Sequence, residues 1–271
     1  MFFGQFTFVL LLLIALAWKT SRMKKDRLAG VILGLATGLK LFMGIFFILF
    51  LVYRRWRLLF YFIGTYLLFN IISLVVFKFA TFKKFLSLLQ KMPWYAESWN
   101  ASFMGFFTRI FGGSLNIPLV NQPWLAQALS LLLSLALIGS LIRYAWPSAG
   151  PIATHRFDLL FSLALVEMLL ISPYGWLYYF PVLILPAVVA WRASENCLRS
   201  RGYKLLIVIA WALSTIPTPL IWAEDARMNQ PIIWFTSAGI YFYALLIMSA
   251  VFITLLHKTN STGWEMARML K

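Results

Sequence analysis

Cysteine, histidine and acidic side chains are all scarce in this chain of 271 residues, which has one Cys, two His and eight Asp or Glu. A lone cysteine, Cys197, excludes an intrachain disulfide and any thiolate cluster for zinc or iron. The two histidines, His155 and His257, are far apart and flank expected helix ends, so nothing in the chain calls for a metal or another cofactor. A Gly-rich phosphate loop, a catalytic-triad motif, a His-x-x-Glu-His run, a heptad array and an internal repeat are also missing. The usual motif-based routes to a function are therefore closed. Any signal has to come from single polar residues in unusual surroundings.

What the chain has in abundance is apolar surface: 62% hydrophobic residues, 18% aromatics and a mean hydropathy of +0.84. Such values do not fit a soluble single-core domain of this length and mark a polytopic membrane protein. The fold class is all-α, because helices are the only open element that lipid tolerates. In a soluble chain the net charge of +16 would suggest nucleic acid. Here Lys and Arg sit in short tracts between apolar runs and act as topology signals, so membrane lipids, and not nucleic acid, are the expected surroundings. The first run, "MFFGQFTFVLLLLIALAW", ends in a small-x-small triplet like a signal peptide but lacks a basic start. All nearby positive charge follows it, in "KTSRMKKDR", so it reads as an anchoring helix whose end faces the cytoplasm.

Apolar segments of spanning or near-spanning length fall at about 2–18, 28–53, 58–77, 124–142, 158–171, 175–191, 203–223 and 231–256. The second contains Lys40, an ammonium with no cheap place in hydrocarbon. If 28–53 goes in and returns, the cytoplasmic side receives 17 Lys and Arg and the outer side six; if it crosses once, the split is 11 against 12. The positive-inside rule therefore predicts about seven spanning helices plus one re-entrant pair of half-helices, with Lys40 at their junction and the C-terminus cytoplasmic. Residues 1–257 then form a single transmembrane domain and 258–271 a tail. Irregular backbone at that depth has to line a cavity or be buried in protein, so Lys40 is expected in a cavity open to the outer face.

The longest break, 78–123, falls outside. It opens with an amphipathic stretch in which Phe79, Phe82, Phe85, Leu86, Leu89 and Met92 share one face and Lys83, Lys84, Ser87, Gln90 and Lys91 the other. An interfacial helix on anionic headgroups is expected there. "PWYAESWNASFMGFFTRIFGG" follows, with Glu97, Arg109 and a formal Asn-x-Ser glycosylation acceptor at Asn100 and Ser102, for which a hydrogen-bonding role is expected. "ISPYGWLYYFP" then turns the chain at Ser172, Pro173 and Gly175, and Trp176, Tyr178 and Tyr179 either form an interfacial belt or line a sugar or headgroup pocket. Lys40 itself has three open fates: snorkelling, pairing with Glu167, or binding an anion such as a lipid phosphate. Glu167 reads as a helix-packing group, and Glu224 and Asp225 as loop caps.

In this order the pieces resemble glycosyltransferase family 87, the polyprenyl-phosphate-mannose-dependent membrane enzymes of the GT-C superfamily. "GQFTFVLLLLIALA" is similar to the family's Gly-Gln helix start and "AGVILGLATGLKLFMGIFFILFLVYRRWR" to its small-residue run with a Lys and a basic stop. "WNASFMGFFTRIFG" is similar to its Asn-x-Ser loop with a downstream Arg, and "SPYGW" to its Ser-Pro-x-Ser-Trp turn. The chain begins at the Gly-Gln helix, whereas the family carries its catalytic Asp on an upstream outer loop. A fragment, or a chain that needs another polypeptide, is therefore expected. Gly175 stands in place of the family's Ser, and Tyr178 and Tyr179 in place of its usual His pair.

The resemblance implies a GT-C-like fold in the plasma membrane and transfer of a hexose, mannose in this family, from a polyprenyl-phosphate donor to a lipid or glycan acceptor on the outer face. It implies that Lys40 and Arg109 hold the departing phosphate and that Gln5, Asn100, Ser102 and Trp176 border the donor sugar or acceptor. The reaction would be an inverting displacement in which a carboxylate takes the acceptor proton. Glu97, the only carboxylate in the long outer loop, is the base this chain itself offers. Two other readings are a transporter subunit for lipid-linked sugars or anionic lipids, since broken helices with a midplane charge mark transport paths, and a catalytically inactive scaffold.

Overall fold

A computed structural model of the chain describes residues 6–90, 94–112, 118–146, 154–195, 197, 200–218 and 239–269. Gln5, Met92, Glu224 and Asp225 lie outside the described residues. Helices account for the fold, and among the described residues there is no strand. In chain order they are α1 (Thr7–Arg22), α2 (Asp26–Leu39), α3 (Ile45–Val52), α4 (Trp56–Gln90), α5 (Phe103–Phe111), α6 (Pro123–Ala145), α7 (Thr154–Ile171), α8 (Ile184–Glu195), α9 (Ser200–Ser214) and α10 (Ile240–Met269). Short 3-10 turns at Leu41–Gly44 and Leu177–Leu183 lead into α3 and α8. Four helical stretches among these are long and apolar enough to cross a membrane: Trp56–Leu88, Pro123–Ala145, Leu177–Glu195 and Ile240–Thr259.

The segment holding Lys40 is broken where the charge count requires. Lys40 is extended, at φ −145° and ψ 106°, between the end of α2 and the turn into α3. The chain then comes back. The Arg55 guanidinium, at the start of α4, pairs with Asp26 at the start of α2 and donates to the Ser21 carbonyl. From that shared level α2 and α4 run side by side in the same direction. A Cβ on Gly30 would meet the Leu58 carbonyl oxygen at 2.4 Å, one on Gly34 the Phe62 oxygen at 2.7 Å, and one on Gly38 the Phe69 ring at 2.6 Å. Helix association in lipid depends on such close approach, because hydrocarbon supplies no hydrophobic drive between helices. The Gly-x-x-x-Gly spacing of α2 thus seats the first half-helix on α4.

α7 forms the centre of the bundle. Every residue from Leu159 to Leu170 is buried, as expected of a helix that is apolar all round. Phe46 of α3 lies against Phe161, ring centroids 4.4 Å apart, and α10, α8 and α6 surround the rest. α4 is the opposite case. Beyond α2 its Leu67, Leu68, Ile71, Ile72, Val75 and Val76 are exposed, the surface of a lipid-facing helix.

Two ends follow from these directions. At one lie Lys40, the start of α1 and the turn after α7, because the Thr7 hydroxyl donates to the Tyr178 carbonyl at 2.7 Å. At the other lie Arg55, the end of α1 and the start of α7, because Trp18 Nε1 donates to Asp158 at 2.9 Å and Arg22 pairs with it at 3.3 Å. Within the expected loop 78–123 the described residues include two helical pieces. The amphipathic stretch continues α4 past a break at Lys78 (φ 62°, ψ 154°), and the Asn-Ser-Arg segment contains the separate helix α5. Residues 258–269 continue α10.

Candidate active site

The Lys40 end gathers three pieces of chain: the break at Lys40, the loop 94–102 and the turn 172–179. Loop and turn are joined as a two-residue ladder. Ala101 N–H donates to the Gly175 carbonyl and Leu177 N–H to the Trp99 carbonyl, both at 2.9 Å, around the bridge between Asn100 and Trp176. Asn100 is fully buried inside this joint. Its amide Nδ2 donates to the carbonyls of Tyr95 (3.0 Å) and Pro173 (2.9 Å), and its Oδ1 accepts from Ser102 N–H at 3.2 Å. Ser102 caps α5, its hydroxyl accepting from Gly105 N–H at 3.0 Å. The formal glycosylation acceptor is therefore sealed inside the protein, with its amide already bonded.

Arg109, on the last turn of α5, is fully buried. Its Nη1 donates to the carbonyls of Glu97 (2.9 Å) and Asn100 (3.1 Å). A buried guanidinium needs such charge-assisted bonds, each worth about 1.5–3 kcal/mol. Arg109 thus holds the loop's backbone in shape from within. α5 is anchored in turn by rings, with Phe106 stacked on Phe242 at 4.2 Å and Phe103 edge-on to it at 5.7 Å.

An aromatic row crosses the joint. The rings of Tyr95 and Tyr174 stack at 4.9 Å and the Tyr174 hydroxyl donates to that of Tyr95 at 2.7 Å. Trp176 stands edge-on to Tyr174, and Tyr178 edge-on to Trp176. Burial, followed by the neighbouring Tyr95, raises the Tyr174 phenol above its ordinary range. Gly175 makes the turn possible, since a Cβ there would sit 2.1 Å from the Leu169 carbonyl oxygen. This chain closes the turn more tightly than the serine of the resembling motif would permit.

Lys40 differs from Arg109 in having no acceptor among the described residues. Its ammonium lies 5.1 Å from the centroid of the buried Tyr179 ring, which Phe42 backs edge-on at 4.8 Å. Half-buried, it has no carboxylate or hydrogen-bond partner among the described residues. The pairing with Glu167, one of the fates open to it, does not occur: Glu167 is buried in α7 and accepts from the Ser140 hydroxyl of α6 at 3.2 Å. The acid of this region is Glu97, half-buried in the loop. Burial pushes its carboxyl above the usual range, and the Arg109 charge pulls it partly back.

The sequence profile of glycosyltransferase family 87 matches residues 1–173, well over half of the chain. The chain belongs to this family. No curated protein and no solved structure gives a significant match. The family 87 match spans the Lys40 hairpin, the loop with Glu97 and Arg109, and the turn as far as Pro173; Trp176, Tyr178 and Tyr179 lie just beyond it. A membrane glycosyltransferase acts on a sugar donor and an acceptor, and the Lys40 end combines a cation that has no counter-ion among the described residues, a carboxylate and aromatic faces.

Sequence reasoning missed Thr7, Tyr95, Tyr174 and the role of α5. Tyr95 and Tyr174 each follow a proline closely, in "PWY" and "SPY". That shared punctuation was the available signal that two turns meet.

Proposed function

We propose that this glycosyltransferase moves a hexose, mannose, from a polyprenyl-phosphate donor to an acceptor hydroxyl at the Lys40 end, on the outer face of the plasma membrane. The single observation that supports the reading is Lys40: a half-buried ammonium at a helix break, backed by Tyr179, with no counter-anion among the described residues. A departing phosphate monoester would supply that missing anion. As the acceptor oxygen bonds to the anomeric carbon, the bond from that carbon to the phosphate oxygen breaks and negative charge grows on the phosphate. A fixed ammonium stabilises that charge more than it stabilises the bound donor, which is the condition for lowering the barrier.

Glu97 takes the acceptor proton in this scheme. Its raised pKa suits a base that must hold a proton after the transfer, provided the pH lies above it. The faces of Trp176 and Tyr178 border the sugar, while Arg109, Asn100 and Ser102 act one step back, by fixing the loop that carries Glu97. Radiolabelled polyprenyl-phosphate-mannose supplied to membranes containing the protein tests the reading. Transfer to an acceptor is expected, with Lys40→Ala reducing it roughly a hundredfold or more. Unchanged transfer by that variant would remove Lys40 from the phosphate site.

A further inference from the structure

At the end opposite Lys40, the reversal between α1 and α2 lies beside the reversal between α3 and α4. They enclose an open cleft of about 300 Å³ lined by Lys24, Lys25, Asp26, Arg27, Leu28 and Arg57. That volume is at the small end of ligand sites. Its one carboxylate is already committed, because Asp26 is paired with Arg55. Nearby Arg22 has its own partner in Asp158. Lys24, Lys25, Arg27 and Arg57 have no carboxylate partner among the described residues, and Arg27 faces only the Tyr61 ring at 5.9 Å. A topology signal requires positive charge at this end, but it does not require four unneutralised cations around one concavity. Their mutual repulsion is relieved when an anion enters.

The rim adds a second property. Leu28 lines the cleft and is exposed, Met23 and Trp56 beside it are exposed, and Phe60, one turn beyond Arg57, opens onto the bare apolar surface of α4. A soluble phosphate would use the cations and leave this rim wet. A phospholipid would use both. We propose that the cleft is a headgroup site for an anionic phospholipid, its phosphate against Lys24, Lys25, Arg27 and Arg57 and its chains along Leu28, Phe60 and α4. Basic pockets between transmembrane helices bind anionic headgroups in this way. The site is at the far end of the bundle from Lys40, so it stands whether or not the donor assignment does.

The test uses the full-length protein in neutral detergent, with bound lipid counted by native mass spectrometry during titration with phosphatidylglycerol or phosphatidylcholine. Phosphatidylglycerol is expected to bind in preference. The Lys25→Gln/Arg57→Gln double variant is expected to weaken it roughly tenfold or more. An Arg192→Gln/Arg201→Gln variant, which removes the same charge from the same end but outside the cleft, is expected to stay within about twofold. Equal binding of the two lipids, or an equal loss in both double variants, overturns the site. Inorganic phosphate is the soluble arm: displacement of phosphatidylglycerol by phosphate alone, at matched concentration, overturns the lipid assignment.

Discussion

Around the joint at the Lys40 end two basic groups are enclosed: Arg109 is buried against backbone carbonyls and Lys40 stands over a tyrosine ring. At the Arg55 end they are many and mostly exposed: Asp26, Asp158 and Glu195 serve Arg55, Arg22 and Lys204, while Lys24, Lys25, Arg27 and Arg57 stand on the surface. The difference shows that charge does unlike jobs at the two ends of one bundle. An exposed cation among many works as part of a field, and no single member matters much. A lone cation in enclosed surroundings is specific, because its interaction is less screened and its removal leaves a particular group without a partner.

That contrast can be tested by substitution. The largest effect is expected for Arg109→Leu, which deletes both bonds to the carbonyls of Glu97 and Asn100 and should cost about 3 kcal/mol or more, read as a lowered Tm in detergent. A Tm equal to that of the parent protein would mean that the loop holds its shape without the guanidinium. Next comes Lys40→Ala, with an expected loss of roughly a hundredfold in kcat/KM, about 2.7 kcal/mol, and little change in Tm. If Tm falls in step with activity, Lys40 is a packing residue and the contrast with Arg109 collapses.

Gly175→Ser restores the residue of the resembling motif but drives a Cβ into the Leu169 carbonyl, and about 1–3 kcal/mol of destabilisation is expected from thermal unfolding. At the other end Asp26→Asn should cost no more than about 1 kcal/mol, because its ion pair is partly exposed. A cost above that of Arg109→Leu would reverse the ranking of the two ends.

The acidity of Glu97 gives a pH prediction. Burial raises its folded pKa, so it is the protonated form that folding favours, and the associated stability is lost as pH rises through that pKa. Catalysis by the carboxylate runs the other way: kcat/KM should fall as pH drops through a value above the ordinary carboxylate range. Glu97→Gln should abolish this limb of the profile, and a profile that keeps it would assign the proton to another group.

The hairpin at Lys40 was legible because it rests on charge, which can be counted along the chain: only a return at Lys40 places most Lys and Arg on one side. The gathering of Asn100 and Trp176 was not legible. Their bridge joins residues distant in sequence, and neither a period of 3.6 nor a period of 2 connects them. The burial of Arg109 was not legible either, because a buried arginine and an exposed one are spelled alike; only the carbonyls folded around it tell them apart. α5 is a nearer miss. Ser102 ahead of Phe103, Phe106, Phe107 and Ile110 is a helix start with an apolar face, but the polar residues around it hide the signal.

The parallel seating of α2 on α4 bears on how the protein is made. With 14 residues α2 is about 21 Å long and with eight residues α3 is about 12 Å, each well short of a ~30 Å hydrocarbon layer. Neither half-helix is a good client for lateral release into lipid when it first emerges from the ribosome. The partner that receives α2, through the Leu58 and Phe62 carbonyls and the Phe69 ring, is translated after it. The hairpin therefore waits for synthesis of the helix that follows, and a cysteine placed within residues 28–53 is expected to react with a water-soluble thiol reagent in nascent chains stopped before about residue 70 and to be protected in longer ones.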